Sequence, residues 1–351
     1  MWFTSDNAGP AHPAVVEAVV RANQGYAASY GGEAAMARVT ARIREVFEAP
    51  EAAVYLVATG TAANALSLAC LCPPWATVYC HRHAHVQEDE CGAPEFYTGG
   101  AKLTPLDGPD GRIAPETLAR ALASAASVGV HNVQRGALSL TSATEAGTAY
   151  APDAIAALAA LARAHGMPVH LDGARFANAL VRIGCTPAEM TWKSGVDVVS
   201  FGGTKNGLMG VEAVILFDPA RAWEFELRRK RGGHLFSKHR FLAAQMEAYL
   251  ADGLWLELAA AANARADALA AGLAAVPGAR ILHPVEANMV FAAWPRAGHR
   301  AAQAAGARYY LWPADQSLDG PAAEPLSARL VCSWSTEPAE VDAFLACLRG
   351  A

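Results

Sequence analysis

A chain of 351 residues with 53% hydrophobic and 17% charged residues has material for a large globular domain with a smaller one attached. Its net charge of -5, from 33 acidic and 28 basic residues spread along the chain, provides no basic field for nucleic acid or anionic lipid, so a small-molecule substrate is expected. Seven cysteines, an odd number with Cys70, Cys72, Cys80 and Cys332 in apolar runs, fit reduced thiols and a cytoplasmic setting.

The opening MWFTSDNAGP lacks the basic and apolar regions of a secretory signal. Helices are expected over HPAVVEAVVRANQG and over MARVTARIREVFEAP, the second stopping before Pro50. Residues 52–80 carry no charge, but Gly60, Asn64 and Pro73-Pro74 punctuate them, which suits a buried strand, helix and strand better than a membrane span. Alternation follows: strand AAVYLVATG, helix TAANALSLACLC, strand ATVYC, helix TLARALASAASV, strand GALSLTSAT, helix DAIAALAALARAHG, then strands MPVHLDGA and GVDVVSFGG. Such alternation predicts an α/β fold with a mostly parallel sheet covered on both faces. From Trp223 the pattern turns long and helical. Strand-like ANMVFAAW, ARYYLWP and ARLVCSW and a last helix EPAEVDAFLACLRG then suggest a small α/β domain over 246–351, after an arm and large domain over 1–245.

Open α/β sheets bind ligands beyond the carboxyl ends of their strands. Four such ends stand out. At ATGTAAN, Gly60 and Thr61 sit where a helix begins, so free N–H groups and the helix dipole suit a phosphate, although Thr61 also reads as an ordinary N-cap. MPVHLD ends on Asp172, a buried carboxylate that needs a cationic partner, either Arg175 in a structural ion pair or a protonated pyridine nitrogen of a cofactor. Lys205, in the glycine-rich FGGTKNGLMG after a buried strand, is a phosphate clamp or a nucleophile. The segment CHRHAHVQEDEC offers Cys80, His81, His83, His85, Glu88 and Cys91 as zinc ligands, yet neither HExxH nor CxxC is present. One histidine over a cofactor ring, best His85, is the preferred reading, with no metal. Also missing are GxGxxG after the first strand, GxxxxGK[ST] and GxSxG, which argues against nucleotide binding and serine hydrolysis.

The ordered set SDN, GTAAN, HAHV with DECGAPEF, HLDGARFANA, FGGTKNG and RLVCSW resembles the low-specificity L-threonine aldolases, pyridoxal-phosphate enzymes of the aspartate aminotransferase-type fold. The likeness covers nearly the whole chain and is closest to the bacterial branch that also cleaves phenylserine. It implies Lys205 as the Schiff-base lysine, Asp172 as partner of the pyridine nitrogen, Gly60 and Thr61 at the phosphate, and His85 stacked on the ring. It implies Ser5, Arg175 and Arg329 at the substrate carboxylate, Arg175 also toward the ring hydroxyl, and Lys230 and Lys238 as basic residues reaching a neighbouring subunit's phosphate. It further implies a homodimer or homotetramer with shared sites. Where many relatives carry a histidine in THNG, this chain has TEAG, so Glu145 joins His85, or a water between them, as candidate base.

The expected reaction is reversible cleavage of L-threonine, L-allo-threonine and related β-hydroxy-α-amino acids to glycine and an aldehyde. Its rivals are another reaction on the same cofactor (β-elimination, transamination or racemisation) and a zinc-binding or interaction protein built on CHRHAH. Tyr309, Tyr310 and Trp312 could line a roomy pocket or pack in the core.

Overall fold

A computed structural model describes residues 1–125 and 129–350; the end of the helix expected over TLARALASAASV, 126–128, lies outside them. In chain order the elements are α1 Pro13–Ala22, α2 Ala34–Val46, β1 Ala53–Val57, α3 Gly60–Leu71, β2 Ala76–His81, α4 His85–Glu88, α5 Ala93–Thr98, β3 Lys102–Leu106 and α6 Pro115–Ala125. There follow β4 Gln134–Thr141, α7 Pro152–Arg163, β5 Val169–Gly173, α8 Phe176–Ile183, β6 Val198–Gly202, β7 Glu212–Leu216, α9 Ala222–Arg231, α10 Arg240–Leu250 and α11 Leu254–Ala274. The last part holds β8 Arg280–Ile281, β9 Met289–Pro295, α12 Arg296–Ala304, β10 Tyr310–Leu311, β11 Pro325–Val331 and α13 Pro338–Arg349.

Seven strands form one sheet in the order β1-β7-β6-β5-β4-β2-β3. Strands β2, β5, β6 and β7 are buried along their whole length, as continuous apolar runs covered on both faces require. The sequence reading missed β3, whose KLTPL is half exposed and contains Pro105; a proline is tolerated there because β3 is an edge strand. It also missed β7, which runs antiparallel between β1 and β6. Only residues 203–211 join β6 to β7, too few for a parallel crossover, and that short connection is the one that carries Lys205.

One core face joins α2 to the sheet through Phe47, which meets the rings of Phe176 and Phe201 at centroid distances of 5.5 Å. A four-stranded sheet, β10-β11-β9-β8, forms the base of the C-terminal unit, with Trp294 and Phe344 fully buried beneath it. Residue 246, where that unit was expected to begin, lies inside α10, which packs on α1 and α2. We propose that the change of unit falls instead in α11, which packs on α8 on one side and on β8, β9 and α13 on the other.

Three parts of the chain meet at one buried acid. Asp6, from the N-terminal arm, accepts two hydrogen bonds from Arg175, Nε to Oδ2 at 2.7 Å and Nη2 to Oδ1 at 3.0 Å, and a third from Asn288 Nδ2 at 3.0 Å. Arg175 follows β5 of the large sheet, and Asn288 immediately precedes β9 of the small one. Burial works against the charge on Asp6, but Arg175, then Lys205, and the side-chain hydrogen bonds hold its carboxyl below the ordinary range. Removing one partner of a buried ion pair strands the other, so Asp6→Asn should cost about 3–5 kcal/mol of unfolding free energy in a denaturant titration. Because folding lowers this pKa, the contribution is complete above the ordinary value of 3.8 and is lost as pH falls through the lowered folded value. An Asp6→Asn variant as stable as the parent at neutral pH would contradict this reading.

Candidate active site

The ends of β1, β4, β5 and β6 open into a cavity of about 350 Å³, within the size range of small-molecule sites. Gly60, Thr61, His85, Glu145, Asp172, Arg175 and Lys205 all line it. These seven residues are dispersed from 60 to 205 in the sequence and are brought together by strand order alone.

At its α3 end the N-cap is Thr59, whose hydroxyl accepts the Ala62 N–H at 3.1 Å. Thr61 is therefore not the cap, and its hydroxyl makes no hydrogen bond among the described residues. The amides of Gly60 and Thr61 open the helix, where no intrahelical acceptor exists, and no heavy atom lies within 4 Å of where a Gly60 Cβ would stand. The result is an open cradle at a helix N-terminus, suited to an anion.

Asp172 closes the other end. It is almost fully buried, and its partners are Asn64 Nδ2 on Oδ2 at 2.9 Å and the Ala174 N–H on Oδ1 at 3.0 Å. Arg175 is committed to Asp6, so the structural ion pair between Asp172 and Arg175 does not form. Among the described residues Asp172 makes no ion pair.

Lys205 sits in the single 3-10 turn Thr204–Asn206. A Cβ on Gly202 would collide with the backbone of Ala174, just past Asp172, and Gly207 has φ 97°, so glycine is required on either side of this turn. Asn206 anchors it by donating to Tyr249 Oη and Trp255 O, both at 2.8 Å. Lys205 Nζ makes no hydrogen bond or ion pair among the described residues, an unusual state for an amine that is not fully exposed. Beside it lies Glu212, whose carboxyl burial pushes up to about 7, against the pull of Thr204, the Gly203 N–H at 2.6 Å and Lys205.

Over the cavity, His85 is held through Nδ1 by Glu90 Oε1 at 2.9 Å, and the same oxygen accepts Asn64 Nδ2 at 2.9 Å. The Glu90 hydrogen bond pushes His85 up, against burial. The remaining groups of CHRHAH do not converge: His83 pairs with Glu88, His81 reaches Gly108 O, and Cys80 is buried in the core. Among the described residues the one set of three acid and histidine groups close enough to share a metal is His85, Glu90 and Asp172, of which His85 and Asp172 line the cavity.

Arg329, on β11, lies with its guanidinium carbon 5.0 Å from the Trp312 ring centroid and 5.6 Å from that of Tyr310, and its buried Nε has no partner. Burial, then the neighbouring Arg175, lowers its pKa, while Glu145 and Asp6 act the other way. Of the three aromatics, Tyr309 is core, bonded to His299 at 3.0 Å, whereas Tyr310 and Trp312 form this shelf. Ser5 does not line the cavity; its Oγ accepts the Asn7 N–H at 3.1 Å, Asp6 is buried against Arg175, and Asn7 is the residue of that motif that lines the cavity. Lys230 lies 4.9 Å over the Tyr30 ring and Lys238 is exposed, both outside this chain's own cavity.

Sequence reading missed Asp6, Asn64, Glu90 and Glu212. Spacing held a signal for one of them: Asn64 stands one helical turn beyond Gly60. Asp6 and Glu212 are recognisable only once the arm and the antiparallel β7 are in place.

Known proteins resemble this chain over nearly its whole length. The family model described as "Beta-eliminating lyase" matches residues 3–295. The chain is 39% identical over 347 residues, 99% of its length and 96% of the relative's, to the low specificity L-threonine aldolase of Pseudomonas sp. (strain NCIMB 10558). It is 40% identical over 335 residues to the enzyme of the same name from Pseudomonas aeruginosa, covering 95% of this chain and 93% of that one. The solved threonine aldolase of Leishmania major superposes with a TM-score of 0.91 at 28% identity, over 99% of this chain and 98% of that one. With its mixed seven-stranded sheet, its glycine-flanked Lys205 and near-complete coverage by these relatives, the chain belongs to the beta-eliminating lyase family and, within it, to the low-specificity L-threonine aldolases.

Proposed function

We propose that this protein is a pyridoxal-phosphate-dependent aldolase that reversibly cleaves L-threonine, L-allo-threonine and related β-hydroxy-α-amino acids, phenylserine among them, to glycine and an aldehyde. The observation that carries the reading is a lysine amine without a partner and a buried carboxylate without a cation, lining one cavity with an open anion cradle. That donor set fits pyridoxal phosphate: Gly60, Thr61 and their amides for the phosphate, Asp172 for the pyridine nitrogen, Lys205 for the aldehyde carbon and His85 for the ring face. When bound, the cofactor supplies an aldehyde for the substrate's amine and a cationic ring that takes up the electron pair of a bond broken at Cα.

The protein's own groups direct which bond that is. Arg329, with a free Nε and no carboxylate partner among the described residues, is the principal clamp for the substrate carboxylate, with Arg175 beside it. Holding the carboxylate in place orients Cα–Cβ for cleavage. Asp172 keeps a proton on the pyridine nitrogen, and Asn64 and the Ala174 N–H keep Asp172 oriented to do so. Of the cavity groups, His85 and Glu145 are the candidates to accept the proton of the substrate hydroxyl. As Cα–Cβ breaks, the hydroxyl carbon becomes the aldehyde, and a proton returned to Cα gives glycine.

The other reactions open to this cofactor leave ammonia and a keto acid or retain the carbon skeleton, so the products decide among them. L-threonine should yield acetaldehyde and glycine in equal amounts. Lys205→Ala should lose both turnover and covalent retention of the cofactor, with the fold intact by circular dichroism. Substantial aldehyde release by that variant, or ammonia as the main product of the parent, would overturn the assignment.

For the assembly we propose a homodimer or homotetramer with active sites completed across an interface, in the cytoplasm. Supporting it, a groove of about 760 Å³ between α5 and α9 is lined by exposed Phe96 and Leu227, and α9 carries Lys230. Light scattering should give a mass of two or four times 36.7 kDa, and a monomer active at nanomolar concentration would contradict it.

A further inference from the structure

Four side chains form one buried hydrogen-bonded line: Asp172 to Asn64, Asn64 to Glu90, Glu90 to His85. Asn64 presents Nδ2 to oxygens of both acids at 2.9 Å, so its two amide hydrogens are spent on two carboxyl groups. Glu90 Oε1 lies 2.9 Å from both Asn64 Nδ2 and His85 Nδ1, and as a carboxylate it accepts in both contacts. The hydrogen between Glu90 and His85 then belongs to Nδ1, which leaves Nε2 as the ring nitrogen without a hydrogen bond among the described residues. Among the described residues Asn64 Oδ1 and Glu90 Oε2 are buried with no partner, a cost of about 1–3 kcal/mol each.

Glu145, the other cavity group able to take a proton, is not braced in this way: its carboxylate makes no hydrogen bond among the described residues, although it faces His85, Arg175 and Arg329. We infer that Glu90 is a positioning residue that fixes His85 with Nδ1 protonated and Nε2 free to accept the substrate's hydroxyl proton, and that Asn64 ties this pair to Asp172. For what Nε2 then does, the inference rests on the proposed aldolase reaction. In the cleavage direction the O–H proton passes to Nε2, the Cβ–O bond becomes a carbonyl, the Cα–Cβ pair stays with Cα, and a proton returned to Cα restores the count.

The charged groups that bear on His85 are Glu90 on its own segment, Asp172 from β5, Glu145 from the loop after β4, and Lys205 from the turn after β6. The acids favour the imidazolium and Lys205 opposes it. Replacing Glu90 by Gln keeps an acceptor for Nδ1–H and removes the charge, so His85 should titrate about one pH unit or more lower.

The test uses the holoenzyme and Glu90→Gln. The plateau of kcat for L-threonine should fall about tenfold or more while KM stays within about twofold, and the acid limb of the kcat profile should move to lower pH by about one unit. A role confined to packing would lower the plateau and leave the limb where it is, and that outcome overturns the inference. Imidazole nitrogen-15 shifts, with His85 assigned by difference from His85→Asn, read the same histidine without turnover. The parent should show the Nδ1–H tautomer; finding the proton on Nε2 instead overturns the inference even if Glu90→Gln fails to fold. A lowered His85 pKa in Glu90→Gln of a protein that releases no aldehyde upholds the positioning role and removes only the proposed activity.

Discussion

Burying a carboxylate without a cation is the constraint on which this site depends. Asp172 stands at the end of a fully buried strand, where desolvation costs several kcal/mol per ion even after relaxation. Two hydrogen bonds, from Asn64 and from the Ala174 N–H, contribute about 1.5–3 kcal/mol each against that cost, but neither donor carries a charge. The nearest arginine is already bound to Asp6. In the proposed reading a cationic ring nitrogen delivered by a cofactor would supply the missing partner, so the order of strands and the chemistry of the ligand would answer the same electrostatic demand.

Charge is distributed around the cavity by commitment as well as by position. Arg175 is neutralised and held by Asp6, and through Asn288 the same acid joins the arm and the small sheet to the large one. Arg329 is kept charged but unpaired on a shelf of two aromatic rings, which hold a guanidinium in place without consuming its donors. One arginine therefore contributes mainly structure and the other remains available to a carboxylate. Lys205 follows the same logic: its neighbours Gly202 and Gly207 fix the turn, Asn206 anchors it, and the amine itself is left without a partner.

What the sequence disclosed follows from locality. Asp172, Lys205 and Gly60 each sit directly after an apolar strand, so a pattern within a dozen residues places them at one edge of the sheet. The parallel strands β2, β4, β5 and β6 were legible for the same reason. The antiparallel β7 was not, because a buried strand shows no direction in its composition, and its partner Glu212 was hidden with it. Thr61 and Thr59 are equally plausible caps until the helix start is known, and which residue of SDN faces the cavity is undecided until the arm is docked. Glu90 stands two residues from Glu88 in an acidic run; the one buried against His85 is selected by the turn at Cys91 and Gly92, both with positive φ, and not by local spacing.

The central claim is that Lys205 is left without a partner in order to carry a cofactor aldehyde. The most direct measurement is the visible spectrum of the protein reconstituted with pyridoxal phosphate, before and after borohydride, followed by mass mapping of the peptides. The account predicts a visible band that borohydride abolishes and a reduced cofactor adduct on the peptide that contains Lys205. A reconstituted protein that stays colourless, or an adduct on any other lysine, would contradict it.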